Sequence, residues 1–156
     1  MKNIPNIKSQ KGVLLLEAMI AILLFSVGVL AVVGLQANAI KNVAQSKYRS
    51  DASNLADQII GQMWANRNNV ATYAYAGSGS VPNTISAWVT QVQGALPNAT
   101  TYPPTIAIAT TNFVGPPAYA AHQITVTVRW QTADEFSANP KPAAHQHSTT
   151  TTITCC

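Results

Sequence analysis

The chain has 156 residues, of which 47% are hydrophobic and only 9% are charged. This length is typical of one domain, and the apolar content argues against intrinsic disorder. Lys2, Lys8 and Lys11 supply three of the four net positive charges, and the other basic residues are dispersed. Because nucleic-acid binding needs clustered basic side chains, we expect no nucleic-acid partner.

The amino-terminal region combines a short basic segment with a long apolar one. Residues 1–12 contain three lysines and no acidic residue, and residues 13–35 form an apolar run of 23 whose only charge is Glu17. A helix of that length is about 35 Å long, which suffices for a hydrocarbon core of about 30 Å. The lysines before the run predict a cytoplasmic amino terminus. We therefore expect the chain to cross a membrane once.

Two ordinary explanations of this region are open at this point. A cleaved secretory signal also begins with basic residues, and 37–39 fits its small-residue cleavage site. Its apolar region, however, typically has only about 7–15 residues. Glu17 is also hard to place in an ordinary signal, because an acidic residue at the centre of a membrane helix costs about 2.5–3.5 kcal/mol, and less toward its end. A plain uncleaved anchor is the second explanation. An ionisable residue in such a segment indicates a functional role.

At the junction between the two segments, Lys11 and Gly12 are followed by Val13, three leucines and Glu17. This junction resembles the prepilin leader of type IV pilins and type II secretion pseudopilins. In that family a prepilin peptidase cuts after the glycine and methylates the new amino terminus, and a glutamate occupies the fifth mature position. The resemblance implies cleavage between Gly12 and Val13, N-methylation of Val13 and an assembly role for Glu17. The family usually has phenylalanine where this chain has Val13.

Glu17 has a physical reason to exist in such a filament. Cleavage leaves an α-amine on Val13 that is cationic near neutral pH. The carboxylate of a neighbouring subunit can pair with this amine in the apolar filament core. Burial of either charge alone is costly, so the pair fixes the axial register between subunits. The alternative is a glutamate that merely reaches the membrane surface.

The helix is predicted to continue beyond the membrane segment. Between Ile40 and Trp64 apolar residues recur every three or four positions and form one stripe, which makes residues 36–69 an amphipathic half. The polar sequence 66–69 predicts the end of the helix. Gly28 and Gly34 are expected to weaken the membrane half and to favour a bend or local melting there.

Residues 70–156 are predicted to form a small head domain. Turn residues in 70–83 indicate a loop, and Thr84 is a candidate cap for a short helix that stops at Pro97. Alternating apolar residues predict a strand at 123–131, and 105–111 and 148–154 are further strand candidates. The predicted fold class is α+β, with the long helix packed on a small antiparallel sheet of three or four strands.

The same segments extend the resemblance to PilV-type minor pilins. The end of the long helix, the sequence 96–99 and the strand 126–130 are similar to that family. The family usually pairs a cysteine inside the domain with one near the end, whereas Cys155 and Cys156 are adjacent. Neighbouring Cα atoms are about 3.8 Å apart, which is shorter than the usual disulfide separation. A disulfide between these two cysteines is feasible but strained.

The other polar residues do not predict a catalytic, cofactor or metal site. His122, His145 and His147 are candidate metal ligands, but no acidic residue accompanies the last two, and their segment predicts a solvated loop. A Cys–His nucleophile is unfavourable in an oxidising compartment. Asn98-Ala99-Thr100 fits the glycosylation pattern, which often arises by chance. We therefore expect no enzymatic activity and no cofactor.

The resemblance implies a minor pilin, a structural subunit at or near the tip of a type IV pilus that takes part in assembly. Implied partners are prepilin peptidase, other minor pilins, the major pilin, the inner-membrane assembly platform, and membrane lipid before assembly. The implied location is the inner membrane, with a periplasmic head, and then the cell-surface pilus. The alternatives are a minor pseudopilin of a type II secretion system and an uncleaved single-span binding or sensor module.

Protein extracted from membranes should begin at Val13 and carry an N-methyl group, because the leader resemblance places the cut after Gly12. Amino-terminal sequencing and intact mass measure the two features. A Gly12→Asp variant, which changes the residue before the cut, is the control and should keep the leader. A chain that begins at Met1, or at Asn38 or beyond, contradicts processing as a prepilin.

Overall fold

A computed structural model describes residues 11–113 and 119–154 of the chain. The helices are α1 (Lys11–Ala65), α2 (Ser86–Ala95) and the short α3 (Ala133–Phe136), with a 3-10 helix at Arg67–Tyr73. The strands are β1 (Thr105–Phe113), β2 (Tyr119–Trp130) and β3 (His145–Thr154). The chain divides into two compact units, one up to Ala44 and one from Gln45, so α1 contributes to both. The architecture is α+β, as the sequence predicts.

In the first unit α1 is an unbroken helix with exposed apolar side chains. Every residue from Val13 to Val43 is exposed. Gly28 and Gly34 are both helical, and a Cβ added at either position would meet nothing within 4 Å. The expected local melting at these glycines is therefore wrong. A single glycine costs a helix only about 1 kcal/mol relative to alanine, which the hydrogen-bonded turns around it can absorb.

In the second unit the apolar stripe of α1 becomes part of the core. Its buried residues are Ala52, Leu55, Ala56, Ile59 and Met63. The predicted stripe is thus confirmed in its carboxyl-terminal part, whereas Ile40 and Val43 are 70% exposed and Trp64 is 45% exposed. The helix ends at Ala65, directly before the polar sequence 66–69 that predicts its end, and a 3-10 helix begins at Arg67.

Three antiparallel strands form one sheet in the order β1-β2-β3. Ile106 of β1 and Thr149 of β3 lie opposite Val126 and define the register. The alternation predicted for the central strand is confirmed, since one side of β2 is buried: Ile124, Val126, Val128 and Trp130. These side chains join those of α1 and α2 in one hydrophobic cluster.

The strands are longer than their sequence patterns indicate. β3 begins at His145 rather than at residue 148, so the prediction of a solvated loop at His145 and His147 is wrong. β1 continues to Phe113, and β2 begins at Tyr119. Pairing extends the strands because ladder hydrogen bonds satisfy backbone groups whatever the side chains are.

α2 packs an apolar face into the core, as predicted. The buried residues of α2 and its flanks are Ile85, Trp88, Val89, Val92 and Leu96. The predicted cap is wrong, because Ile85 is the N-cap residue and Thr84 Oγ1 instead donates to the Thr72 carbonyl at 2.8 Å. The Trp88 Nε1 donates to the Leu55 carbonyl at 2.8 Å and so ties α2 to α1.

The segment between α1 and α2 is more regular than the predicted loop. The 3-10 helix buries Val70 and Tyr73. Tyr75 then forms an isolated antiparallel bridge with Ile106 of β1. The Tyr75 N–H donates to the Ile106 carbonyl at 3.0 Å, and the Ile106 N–H donates to the Tyr75 carbonyl at 2.8 Å. Because several glycine and serine residues follow Tyr75, the sequence pattern predicts a loop here and not this short extended segment.

A polar cluster joins the end of α2 to the connection between β2 and β3. Asn98 has a positive φ of 55°, a conformation that asparagine tolerates better than most residues. Its Nδ2 donates to the Gln131 carbonyl at 2.8 Å, and the Gln131 N–H donates to the Pro97 carbonyl at 3.1 Å. The Asn98 amide that the glycosylation pattern singles out is therefore used by the fold.

Replacing Trp88 by phenylalanine should lower the free energy of unfolding by about 1–3 kcal/mol, because it removes a buried hydrogen bond and part of a buried ring. Thermal unfolding of the full chain in detergent, followed by circular dichroism, measures the loss. Trp64→Phe is the matched control, since Trp64 is 45% exposed, and it should change stability little. Equal losses in the two variants would contradict a specific role of the Trp88–Leu55 bond.

Candidate functional site

The residues that the leader pattern singles out lie at the start of α1. Gly12, Val13 and Glu17 are all helical, and Glu17 is the seventh residue of the described helix. No acidic residue lies in the first turn of the uncut chain. Removal of residues 1–12 would bring Glu17 two residues closer to the helix start, where the helix dipole favours an anion.

One side of this helix surrounds Glu17 with apolar side chains at three- and four-residue spacing: Val13, Leu16, Ile20, Ala21 and Leu24. Val13 is 62% exposed and Leu24 is 64% exposed, so these side chains are not packed against the described chain. The Glu17 side chain takes part in no hydrogen bond or ion pair among the described residues. The face therefore presents a single carboxylate in an exposed apolar surface.

The same helix is long and apolar enough to cross a membrane. Its most apolar 18-residue window has a mean hydropathy of 2.8, and no part of that window is buried. By length and composition α1 is compatible with a membrane anchor near the amino terminus.

A second polar constellation lies in the second unit, at the start of β3. His145 Nε2 lies 2.9 Å from Glu135 Oε1 of α3, a contact that is an ion pair when the imidazole is protonated. Gln45 Nε2 of α1 donates to Glu135 Oε1 at 3.0 Å and lies 3.0 Å from His145 Nε2. Side chains from α1, α3 and β3 are therefore in mutual contact in this cluster. The His145 ring also stacks on Trp130, with ring centroids 5.7 Å apart.

The local sequence fixes the carboxylate of Glu135. Thr132 and Glu135 form a capping box, in which the Thr132 N–H donates to Glu135 Oε2 at 3.0 Å and the Glu135 N–H donates to Thr132 Oγ1 at 3.4 Å. Burial tends to raise the pKa of Glu135, but the hydrogen bonds from His145 and Thr132 outweigh it and hold the pKa below its ordinary value. The carboxylate is therefore ionised and oriented at neutral pH.

The sequence patterns do not predict this constellation. No acidic residue was expected beside His145, but Glu135 is in direct contact with it. Gln45 lies 100 residues before His145 in the chain, so spacing alone could not link them. The capping-box pattern at Thr132 and Glu135 is the one signal that could have marked this short helix. Chemically the cluster fastens the β2–β3 connection to α1.

The other candidate residues are not brought together. His122 Nδ1 lies 2.9 Å from Thr110 Oγ1, and His147 Nε2 lies 2.9 Å from Thr149 Oγ1. Within residues 11–113 and 119–154, no group of three or more His, Cys, Asp or Glu residues is placed to hold a metal ion. Cys155 and Cys156, with the predicted strained disulfide, lie outside the described residues.

No protein-family model, no curated protein and no solved structure matches this chain.

Replacing Glu135 by glutamine should lower the free energy of unfolding at pH 7 by about 1 kcal/mol, because a charge-assisted contact is lost. A lowered folded-state pKa contributes stability above the unfolded pKa of about 4.3, and that contribution disappears as the pH falls through the folded value. The difference between wild type and Glu135→Gln should therefore shrink toward pH 3. Thermal unfolding of the full chain in detergent at pH 7, 5 and 3 measures it.

Asp57→Asn is the control for this pH series, because Asp57 is an exposed carboxylate on α1. It should show little difference from wild type at each pH. A deficit of Glu135→Gln that is equally large at pH 7 and pH 3 would show that the ionised carboxylate does not carry the effect.

Proposed function

We propose that this protein is a minor pilin, a structural subunit that takes part in the assembly of a type IV pilus at or near the filament tip. One observation carries the proposal: α1 exposes apolar side chains from Val13 to Val43 around the single carboxylate of Glu17, and the chain then enters a packed α+β unit. Soluble monomers rarely expose so much contiguous apolar surface. A filament subunit needs this surface twice, first against lipid and then against other helices.

The position of Glu17 favours a filament over a plain anchor. A helix that only spans a membrane gains nothing from a carboxylate among Val13, Leu16 and Ile20, and inserting the charge is costly. An oppositely charged group on a neighbouring subunit would offset that cost. The α-amine of a processed Val13 on the neighbouring subunit supplies such a group. Within each chain Val13 and Glu17 lie on the same helix face, one turn apart.

The second unit supplies the part of the subunit that other proteins would meet outside the membrane. Its buried side chains form one hydrophobic cluster, and the stripe of α1 from Ala52 to Met63 belongs to it. We infer that this unit remains extracytoplasmic and contacts other minor pilins and the major pilin. Before assembly the apolar helix would reside in the inner membrane, where prepilin peptidase and the assembly platform act on it.

Glu17→Val should leave cleavage after Gly12 and membrane insertion intact but sharply lower recovery of the protein in sheared filaments. The substitution strands the amine of a neighbouring subunit in the filament core, and loss of one member of a buried pair typically costs about 3–5 kcal/mol. That energy corresponds to roughly a hundredfold or more in an assembly constant. Immunoblots of the membrane fraction and the sheared fraction measure the distribution.

Ser26→Val is the matched control, because it also removes a polar group from the apolar half of α1. The Ser26 Oγ donates only to the Ile22 carbonyl of its own helix, at 2.7 Å. This variant should enter filaments like wild type. Equal incorporation of the Glu17→Val protein would exclude the assembly role of the carboxylate, and an uncut chain that stays in the membrane would support an anchored binding module instead.

A further inference from the structure

The sheet of the second unit ends at β3. β3 pairs with β2 over ten residues, and no other element of the described chain pairs with its outer edge. The core beneath it is also incompletely covered. On β2 the four apolar residues that face the core are buried: Ile124, Val126, Val128 and Trp130. Their partners on β3 are half-buried: Thr151, Thr149, His147 and His145. One more strand beside β3 would cover this margin.

The outer edge of β3 lacks the features that protect exposed edges in monomeric proteins. Lysine, proline, inward-pointing charges and bulges are the usual devices. The sequence HQHSTTTTIT contains no lysine, arginine, aspartate, glutamate or proline. Its register with β2 runs from Ala121–Thr154 to Trp130–His145 without a bulge. The strand is therefore a long, regular and uncharged template for another strand.

The opposite edge of the sheet is different. At Ile106 the outer side of β1 is occupied by Tyr75, with both backbone hydrogen bonds formed at 3.0 and 2.8 Å. Addition of β3 of one molecule to β1 of the next would meet Tyr75 at the Ile106 end of β1. A closed pair of equivalent β3 edges avoids this contact.

The side chains of β3 match those of a second β3. The Thr125 and Thr150 hydroxyls lie 3.1 Å apart across the β2–β3 pair, as do those of Thr127 and Ser148. A second antiparallel β3 on the other side would repeat such hydroxyl pairs, which stabilise adjacent strands. Because the ten residues include no lysine, arginine, aspartate or glutamate, no fixed like charges would oppose each other.

We propose that two copies of this chain pair antiparallel through the outer edges of β3 and form one continuous six-stranded sheet about a twofold axis. The axis is perpendicular to the sheet, so the exposed faces of the two β3 strands lie on the same side of the combined sheet. Opposite residues of an antiparallel pair share a face, so the residue that meets its own copy is Thr149 or Thr150, at the middle of the strand. This pairing uses no part of the first unit and does not depend on the pilin proposal.

Cysteine cross-linking of the full chain in membranes tests the pairing and its register. In a background with Cys155→Ser and Cys156→Ser, Thr149→Cys and Thr150→Cys are introduced singly and oxidised. At least one of the two should give a disulfide-linked dimer of this chain. Gln146→Cys is the control, because at about 3.3 Å per residue it lies roughly 20 Å or more from its own copy in either register. Absence of a dimer at both positions overturns the proposal.

A second measurement tests whether the edge provides the association energy. Thr150→Lys together with Thr152→Lys places like charges on exposed positions across the pair and should weaken the dimer about tenfold or more, by analytical ultracentrifugation in detergent. Ala107→Lys with Gln123→Lys, on the exposed side of β1 and β2, is the matched control and should leave the dimer unchanged. Equal dimer formation by both double variants would assign association to the apolar helix and overturn the edge pairing.

The identity of the cross-linked partner shows which chain pairs with the outer edge of β3. Protein recovered from cells with Thr149→Cys or Thr150→Cys should be linked to a second copy of this chain, which mass spectrometry of the linked peptides shows. A link to a strand of a different protein, without any link between copies, would overturn the twofold pairing.

Discussion

The packing of α1 against one side of the sheet is the interaction on which the second unit depends. A three-stranded sheet needs a partner for its apolar side, and β2 supplies four buried side chains to that side. The partner is the stripe from Ala52 to Met63, joined by Trp88 of α2. Apolar burial contributes about 25 cal/mol per Å². α1 is therefore part of the folded unit and not only a connection to it.

The same helix meets two different demands along its length. From Ala52 onward its apolar residues recur at helical spacing, and they find an apolar surrounding inside the chain. From Val13 to Val43 all sides are exposed, so the described part of the chain provides no such surrounding. The hydrophobic effect acts equally on both halves. The two halves differ in pattern: the first is a continuous apolar run, which is compatible with a membrane anchor, and the second is a stripe, which suits packing in a core.

Patterns that depend on neighbouring residues could be predicted from the sequence. The apolar run, the stripe, the alternation of β2 and the face of α2 all express local periodicity, and the structure has each of them. Residues whose roles arise from distant contacts could not be predicted. Thr84 has the chemistry of a cap, but the Thr72 carbonyl competes for its hydroxyl. The apolar face around Glu17 can be predicted from the helical spacing of the apolar run. The contact of Gln45 with Glu135 cannot, because it joins residues 90 positions apart.

The connection between β2 and β3 is held in a way that differs from the core. α3 has no buried residue, so apolar burial contributes little to its position. Polar contacts replace it: Gln131 Nε2 donates to the Pro142 carbonyl at 2.8 Å, and Lys141 Nζ lies 3.4 Å from the centre of the Phe136 ring. The Gln131 Oε1 has no partner among the described residues, and an unsatisfied buried polar atom costs about 1–3 kcal/mol. Since charge-dependent contacts respond to pH and salt, this connection should loosen under conditions that leave the packing of α1 on the sheet intact.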